Sequence, residues 1–400
     1  MALDIATVTQ ALKEHYKPLR VANMVYKDNP MLALMPKYTQ FGGENMPIPL
    51  IYGNPQRRSA DFSNGKAVSS TSSLGRFVLT RVKDYSFASI TGESIKATER
   101  DSDAFLRYAT MEIDGAMHSL TRSLAISMYR DGTGSIGTIG SVDGQVFTLS
   151  NIEDVTNFEV GMVLNCFDNL TETTTDSRFD KPDSSDQESG DVTVTTVSGT
   201  VTDMTAGDIF VQKGDINAKI SGFEAWIPRV LDANNKDFFS QDRSADVSRL
   251  AGQRFDGSAL PIEEALIEGA SLVSREGGAP DYCFVDFKTF SNIEKALSSK
   301  VVYGEVKARD VDMGFASIAL RGPRGIINIV PDQNCQPNLA WMLQLDTWSL
   351  NTLGEAPMFL DFDNNQMLRE NSADAYEVRM GYYGNLACNA PGYNCRVALA

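Results

Sequence analysis

SDAFLRYATMEIDGAMHSLTRSLAISMYR, residues 102–130, carries the strongest periodic signal in the chain. Leu106, Ala109, Ile113, Ala116, Leu120, Leu124 and Met128 step by three or four, the stripe of an amphipathic helix. Asp101 or Ser102 can cap its start, Asp103 suits the positive end of the helix dipole, and Gly132 supplies a stop. At 1.5 Å per residue such a helix runs for about 42 Å, more than twice the usual length in a globular domain. It reads as a spine that other elements pack along.

Upstream, the pattern changes from a period near 3.6 to a period of 2. MPIPLIYG (46–53) and GRFVLTRVKDYSFASITGE (75–93) alternate in the manner of strands, with Phe77, Leu79, Val82, Tyr85 and Phe87 set among charges. Between them NPQRRSADFSNGKAVSSTSSL (54–74) is polar, basic and rich in turn residues. Residues 46–92 are therefore expected to form a long two-stranded extension with a flexible tip. A lone hairpin is marginal in water, so this one is expected to rest on a neighbour. Arg57, Arg58, Lys66 and Arg76, together with Asp61, make it a candidate contact between subunits in an otherwise acidic chain. Residues 1–45 are an arm punctuated by Pro18, Pro30 and Pro36, whose one apolar run is NPMLALMPKY (29–38).

Downstream of the helix, residues 133–220 hold 15 acidic and 4 basic residues, so that −11 of the net charge of −16 falls there. QVFTLSNI (145–152), EVGMVLNCF (159–167), DVTVTTVSG (191–199) and DIFVQKGD (208–215) alternate Thr and Val between turn residues, which predicts a small acidic barrel or sandwich inserted after the spine. TETTTDSRFDKPDSSDQESG (171–190) has almost no apolar content and is expected to be mobile, its removal nearly harmless. Gly132, Gly134 and Gly137 are the candidate hinge into this unit. Residues 221–400 mix helices, at 261–277 and 288–299, with strands at 281–287, 326–331, 340–350 and 376–388, read as one mixed sheet.

Several kinds of chemistry are excluded by what the chain lacks. His15 and His118 are the two histidines, too few for a histidine triad or a histidine-rich metal site. Gly132, Gly134 and Gly137 fit G-x-G-x-x-G as letters, but a helix precedes and strands follow, the reverse of a dinucleotide fold. Asp361, Asp363 and Asn365 imitate a calcium loop, yet Gln366 and Ser372 stand where Gly and Glu are required. No cofactor, no metal and no catalytic residue is assigned, and no stretch is apolar enough to span a membrane. The start has no secretory pattern, and Cys166, Cys283, Cys335, Cys388 and Cys395 read as buried thiols of a protein kept in the reducing interior of its cell. The net charge argues against tight binding of nucleic acid through its phosphates.

The order of these parts resembles the major capsid protein of tailed bacteriophages, a fold shared with encapsulins. NPMLALMPK (29–37), GGAPDYCFVDFKTFSNIEKAL (277–297) and the closing YYGNLACNAPGYNCRVAL (382–399) are similar to segments of that family. The resemblance covers 1–132 and 222–400 and leaves 133–220 as an extra domain. It implies an α+β fold: an N-terminal arm (1–45), an extended β loop (46–92), a spine helix in a peripheral domain (93–132), the inserted β-barrel-like domain (133–220), and the remaining peripheral and axial α/β parts (221–400). It implies a structural protein rather than an enzyme, whose copies form hexamers and pentamers of an icosahedral shell around double-stranded DNA without sequence-specific contacts. Assembly in the host cytoplasm with a separate scaffolding protein, a portal protein and room for a decoration protein follows from the same resemblance. Lys66 lies where some members carry a cross-linking lysine, but no carboxylate can be matched to it, so no cross-link is expected. An encapsulin-like shell enclosing protein cargo is the alternative, and an α/β enzyme a more distant one.

Overall fold

The computed structural model describes residues 29–67, 70–97, 102–168, 171–181, 189–198, 204–233, 235–297, 303–307, 314–360 and 367–399. The arm before residue 29, Asp101 and the calcium-like segment at 361–366 lie outside the described residues. The long helix spans Ser102–Tyr129. Ala109, Leu120, Leu124 and Met128 of its stripe are buried, with Ile113 and Ala116 packed against the same core. Its last two turns are buried on nearly every side, Ala125, Ile126, Ser127 and Tyr129 included. An amphipathic stripe alone would leave them wet, and the neighbours that cover them come from the inserted domain and from the far end of the chain.

Two sheets form the body. One has six strands: Trp348–Thr352 and Ala375–Cys388 at its centre, with Lys37–Tyr38, Val82–Thr91, Met358–Phe359 and Leu368–Arg369 added around them. The other has seven strands in the order Gln253–Asp256, Cys395–Ala398, Leu339–Leu343, Tyr282–Val285, Gly325–Pro331, Gly314–Gly322, Tyr303–Lys307. Helices Ile262–Glu276 and Phe287–Leu297 cover the second sheet, the former closed by Gly277 at φ +104°, a left-handed cap that a Cβ would resist. The C-terminal strands thus belong to two sheets, where the sequence suggested one. The run AWMLQLDTWSL breaks at a 3₁₀ turn, Leu345–Thr347, and its halves join different sheets.

The extension is also shorter than 46–92. Asn45–Gly53 pairs antiparallel with Ser73–Thr80 as an isolated hairpin. Val82–Thr91 turns back into the body and pairs along its length with Ala375–Cys388. Alternation in 75–93 is a property of both strands, and only the long-range partner tells where one leaves the hairpin.

The core joins these parts through aromatic rings. Phe77 of the hairpin meets Trp226 edge-on at 4.9 Å, and Phe223 meets Trp348 at 4.8 Å. Trp226 donates through Nε1 to the Leu386 carbonyl, so its one polar atom is satisfied. Below them Asp332, 1% exposed, accepts from the Tyr129 hydroxyl (3.0 Å), from the Met31 amide (3.3 Å) and from Asn334, which also reaches Asn29. Burial pushes this carboxyl up, outweighing the bonds that pull it down. The arm's helix Pro30–Leu34 is thereby tied to the core. Asp332→Ala should cost about 2–4 kcal/mol, because four buried donors lose their acceptor, and should speed protease nicking near residue 30. Asp332→Asn should cost less, and equal loss in both variants would rule out the hydrogen-bonding role.

All five cysteines are buried and none is in a disulfide. Burial pushes the Cys388 and Cys395 thiols up to about 12. Since the thiolate is the reactive form, iodoacetamide at about pH 8 should leave the native chain unlabelled and modify it only after unfolding.

Candidate assembly surface and domain junction

At the hairpin tip, residues 54–72, Asp61 organises a short helix, Phe62–Ala67. Its carboxylate accepts from the Ser63 amide (3.1 Å) and hydroxyl (2.8 Å), the Asx-type bonding that starts a helical turn. Gly65 packs against the backbone of Arg57 and Ser59, which folds the tip on itself. Arg57, Arg58 and Lys66 are exposed there and make no ion pair among the described residues. Arg76 stands apart from them, opposite Pro49 in the hairpin stem, and its amide is bonded to Gln241.

The charges are half of the surface. Ile51 and Leu74 are cross-strand partners 65% and 69% exposed, and Phe62 at the tip is 85% exposed. Large apolar side chains this bare are informative when they cluster. The stem below them is anchored: Ile48, Phe77 and Leu79 are buried, and Val78 donates to the Phe239 carbonyl. Sequence reasoning weighed the charges and passed over Ile51, Phe62 and Leu74. The signal was in the alternation: Ile48 and Leu50 point toward the body, so Ile51 must point away.

The inserted unit is a closed barrel, in circular order Ile209–Gln212, Ser135–Asp143, Val146–Leu149, Asp191–Ser198, Thr171–Lys181, Val163–Asp168. Closure removes the exposed edges that an open sheet of this size would carry. Thr171–Lys181 is one of its strands, paired on both sides, so the first half of 171–190 is not the mobile segment its composition suggested. Low apolar content misled because threonine, a β-branched residue, supports a strand without a large apolar side chain. Residues 182–188 lie outside the described residues.

Gly132 and Gly134 sit at the crossing into the barrel with φ of +91° and +87°, and a Cβ on Gly134 would lie 2.5 Å from the Asp215 carbonyl oxygen. Gly137 lies inside the first barrel strand, where a Cβ would come within 3.1 Å of the Phe158 ring and 3.3 Å of Leu149, so these side chains would have to shift. The structure therefore gathers two of the three glycines at the neck and puts the third in the barrel core. The neck is braced. Lys219 reaches Asp84 (2.5 Å), Asp215 (2.9 Å) and Ser123 (2.8 Å), joining the returning chain to the sheet and the long helix. Arg130 pairs with Asp154 at 2.5 Å, and Arg122 is 8% exposed and donates to the Thr156 carbonyl. These contacts border a small, partly open cavity of about 100 Å³. Burial raises the Asp215 carboxyl, and Lys219 partly offsets it. Lys219→Met should destabilise the chain by about 2–3 kcal/mol, since two partly buried carboxylates lose the cation they share. Adding Asp84→Asn should recover part of that loss in a denaturation series, and strict additivity would argue against the pairing.

Among the described residues no group of histidine, cysteine and carboxylate side chains is arranged to hold a metal ion, and no helix is long and apolar enough to cross a membrane.

No family model matches the sequence, and no curated protein matches it. Solved structures do. A chain of the "Cyanophage A-1(L) capsid asymmetric unit" superposes with a TM-score of 0.51 at 11% identity, covering 99% of both chains. The "Capsid of native GTA particle computed with C5 symmetry" gives 0.49 at 9% identity over 98% of both chains. A chain of Mycobacterium phage Adephagia gives 0.46 at 12% identity over 100% of this chain and 99% of that one. Of these three the cyanophage chain has a TM-score above 0.5, and at its identity it speaks to fold: over almost its whole length, this chain shares the fold of that capsid chain.

Proposed function

We propose that this chain is a shell-forming major capsid protein, a structural protein whose copies assemble as hexamers and pentamers into an icosahedral shell around double-stranded DNA. The observation that carries this reading is the hairpin. Its stem is locked into the subunit core, while its outer half presents Ile51, Phe62 and Leu74 beside Arg57, Arg58 and Lys66 with no partner in its own subunit among the described residues. Such a surface is stable when a second copy covers it, which couples assembly to ordering. The fold shared with the cyanophage capsid chain supports the same conclusion. A net charge of −16 suits a wall that encloses DNA without gripping it. The finer assignments extend the same reading: a place in the virion, assembly in a bacterial cytoplasm, and scaffolding, portal and decoration proteins as partners.

Negative-stain electron microscopy of the purified chain, with and without nuclease, is the test. Closed shells or rings are expected, with nuclease-protected DNA inside particles recovered from the host. Shells holding protein cargo and no nucleic acid would replace the phage reading with an encapsulin-like one. A chain that stays monomeric with and without a scaffolding partner would overturn both.

A further inference from the structure

Between the barrel and the seven-stranded sheet lies an open cleft of about 1270 Å³, remote from the hairpin and bordering the neck cavity at Arg130 and Ser135. Its body wall carries Arg229, Arg254 and Arg396. Arg254 and Arg396 are register partners on adjacent parallel strands, so their side chains leave the sheet on the same face. Neighbouring strands are about 4.8 Å apart, and two like charges at that separation repel each other.

Few contacts of their own offset this repulsion, and Glu224 is the carboxylate that favours the charge on Arg396. Neither guanidinium makes an ion pair among the described residues. Arg254 has one long bond, 3.5 Å, to the Pro228 carbonyl. Arg396 rests 5.9 Å above the Trp341 ring, and its buried Nε has no acceptor. Glu224 is the carboxylate nearest in effect, but it is bound to Gln336 at 2.6 Å and also shares the field of Arg130. Arg130 in turn is already held by Asp154. Burial is the main cause that holds both arginines below the usual arginine value; Glu224 acts against it at Arg396, and the guanidinium groups of Arg396 at Arg254 and of Arg229 at Arg396 add less.

We infer that Arg254 and Arg396 form a clamp for an oxyanion group, and that its occupant is a side-chain carboxylate of a second copy of this chain. Two planar forks facing one cleft suit a carboxylate, which each can bind through parallel N–H bonds. A polyphosphate backbone fits poorly, because Asp131, Asp168, Asp208, Glu224 and Asp256 also line the cleft. One carboxylate on an otherwise tolerant segment avoids that repulsion. At 52 acidic against 36 basic residues, the anions most concentrated around a packed subunit are those of its own copies. This inference rests on the self-assembly proposed above and adds a second contact, remote from the hairpin, that is electrostatic rather than apolar.

The test uses the full chain under conditions where it assembles, with the double variant Arg254→Gln/Arg396→Gln. Two readouts should move in opposite senses. The critical concentration for assembly, from sedimentation velocity, should rise at least about tenfold, the equivalent of about 1.4 kcal/mol. The melting temperature of the unassembled chain should stay level or rise, because a like-charge pair has been removed. Inorganic phosphate at constant ionic strength should raise the critical concentration of the parent chain and leave that of the variant unchanged. Arg254→Lys/Arg396→Lys, which keeps charge but loses the fork, should fall between. An unchanged critical concentration would overturn the inference, and so would a fall in melting temperature alongside weaker assembly, which marks an internal structural role. Loss of DNA binding with assembly intact would overturn it in favour of nucleic acid. If the parent chain itself never assembles, the reading beneath it fails and takes this one with it.

Discussion

Deleting residues 56–74 and closing the gap with a short turn is expected to abolish shell formation while leaving a folded, soluble subunit. The removed segment holds Phe62 and Leu74, two of the barest large apolar side chains, and the basic residues Arg57, Arg58 and Lys66. None of these lies in the subunit core. The stem residues that do, Ile48, Phe77 and Leu79, stay in place through the Phe77–Trp226 contact and the Val78–Phe239 hydrogen bond. The melting temperature should shift by only a few degrees, as for substitutions away from buried features. Assembly, by contrast, loses the central apolar patch of an interface, where a few residues carry most of the energy. Sedimentation velocity and electron microscopy read the outcome. Unchanged shells would remove the hairpin from the assembly mechanism. Phe62→Ser with Leu74→Ser is the finer version: it keeps the backbone and should weaken assembly more than neutralising Arg57 and Arg58 does, because exposed ion pairs contribute little.

The second large effect is expected from deleting residues 171–181. Composition alone marks this segment as dispensable. In the structure it is a barrel strand paired with Val163–Asp168 on one side and Asp191–Ser198 on the other. Its removal opens two edges and uncovers a core built from Ile139, Phe147, Leu164, Val192, Val194 and Phe210. The barrel should unfold as one unit, losing hydrogen-exchange protection in all its remaining strands. The two sheets of the body should keep theirs, since their cores are built from other residues. Undiminished protection within 135–212 would show that the strand is a replaceable insertion.

These expectations show where one-dimensional information sufficed and where it stopped. The helix at Ser102–Tyr129, the strands of the hairpin and the β character of the inserted domain were legible, because periodicity is a local property carried by neighbouring side chains. Val82–Thr91 was legible as a strand and not as a member of the body, because its partner, Ala375–Cys388, lies at the other end of the chain and many alternating strands would have matched it equally well. The division of 340–350 between two sheets depended on one 3₁₀ turn. Arg122 looks like a solvated helix charge until the barrel is placed over it, and Asp332 like a loop residue until the arm, the long helix and the sheet converge on its carboxylate. The clamp of Arg254 and Arg396 has no sequence signature, since it consists only of the register between two strands drawn from distant parts of the chain.

The sequence by itself determined that the long helix and the alternating strands form, and that the acidic stretch after the helix is β-rich. Tertiary structure decided which strands pair, which charges are buried, and which apolar side chains are left uncovered. The reason is physical: backbone preference and side-chain period act over a few residues, whereas burial is set by whatever packs against a residue from anywhere else in the chain.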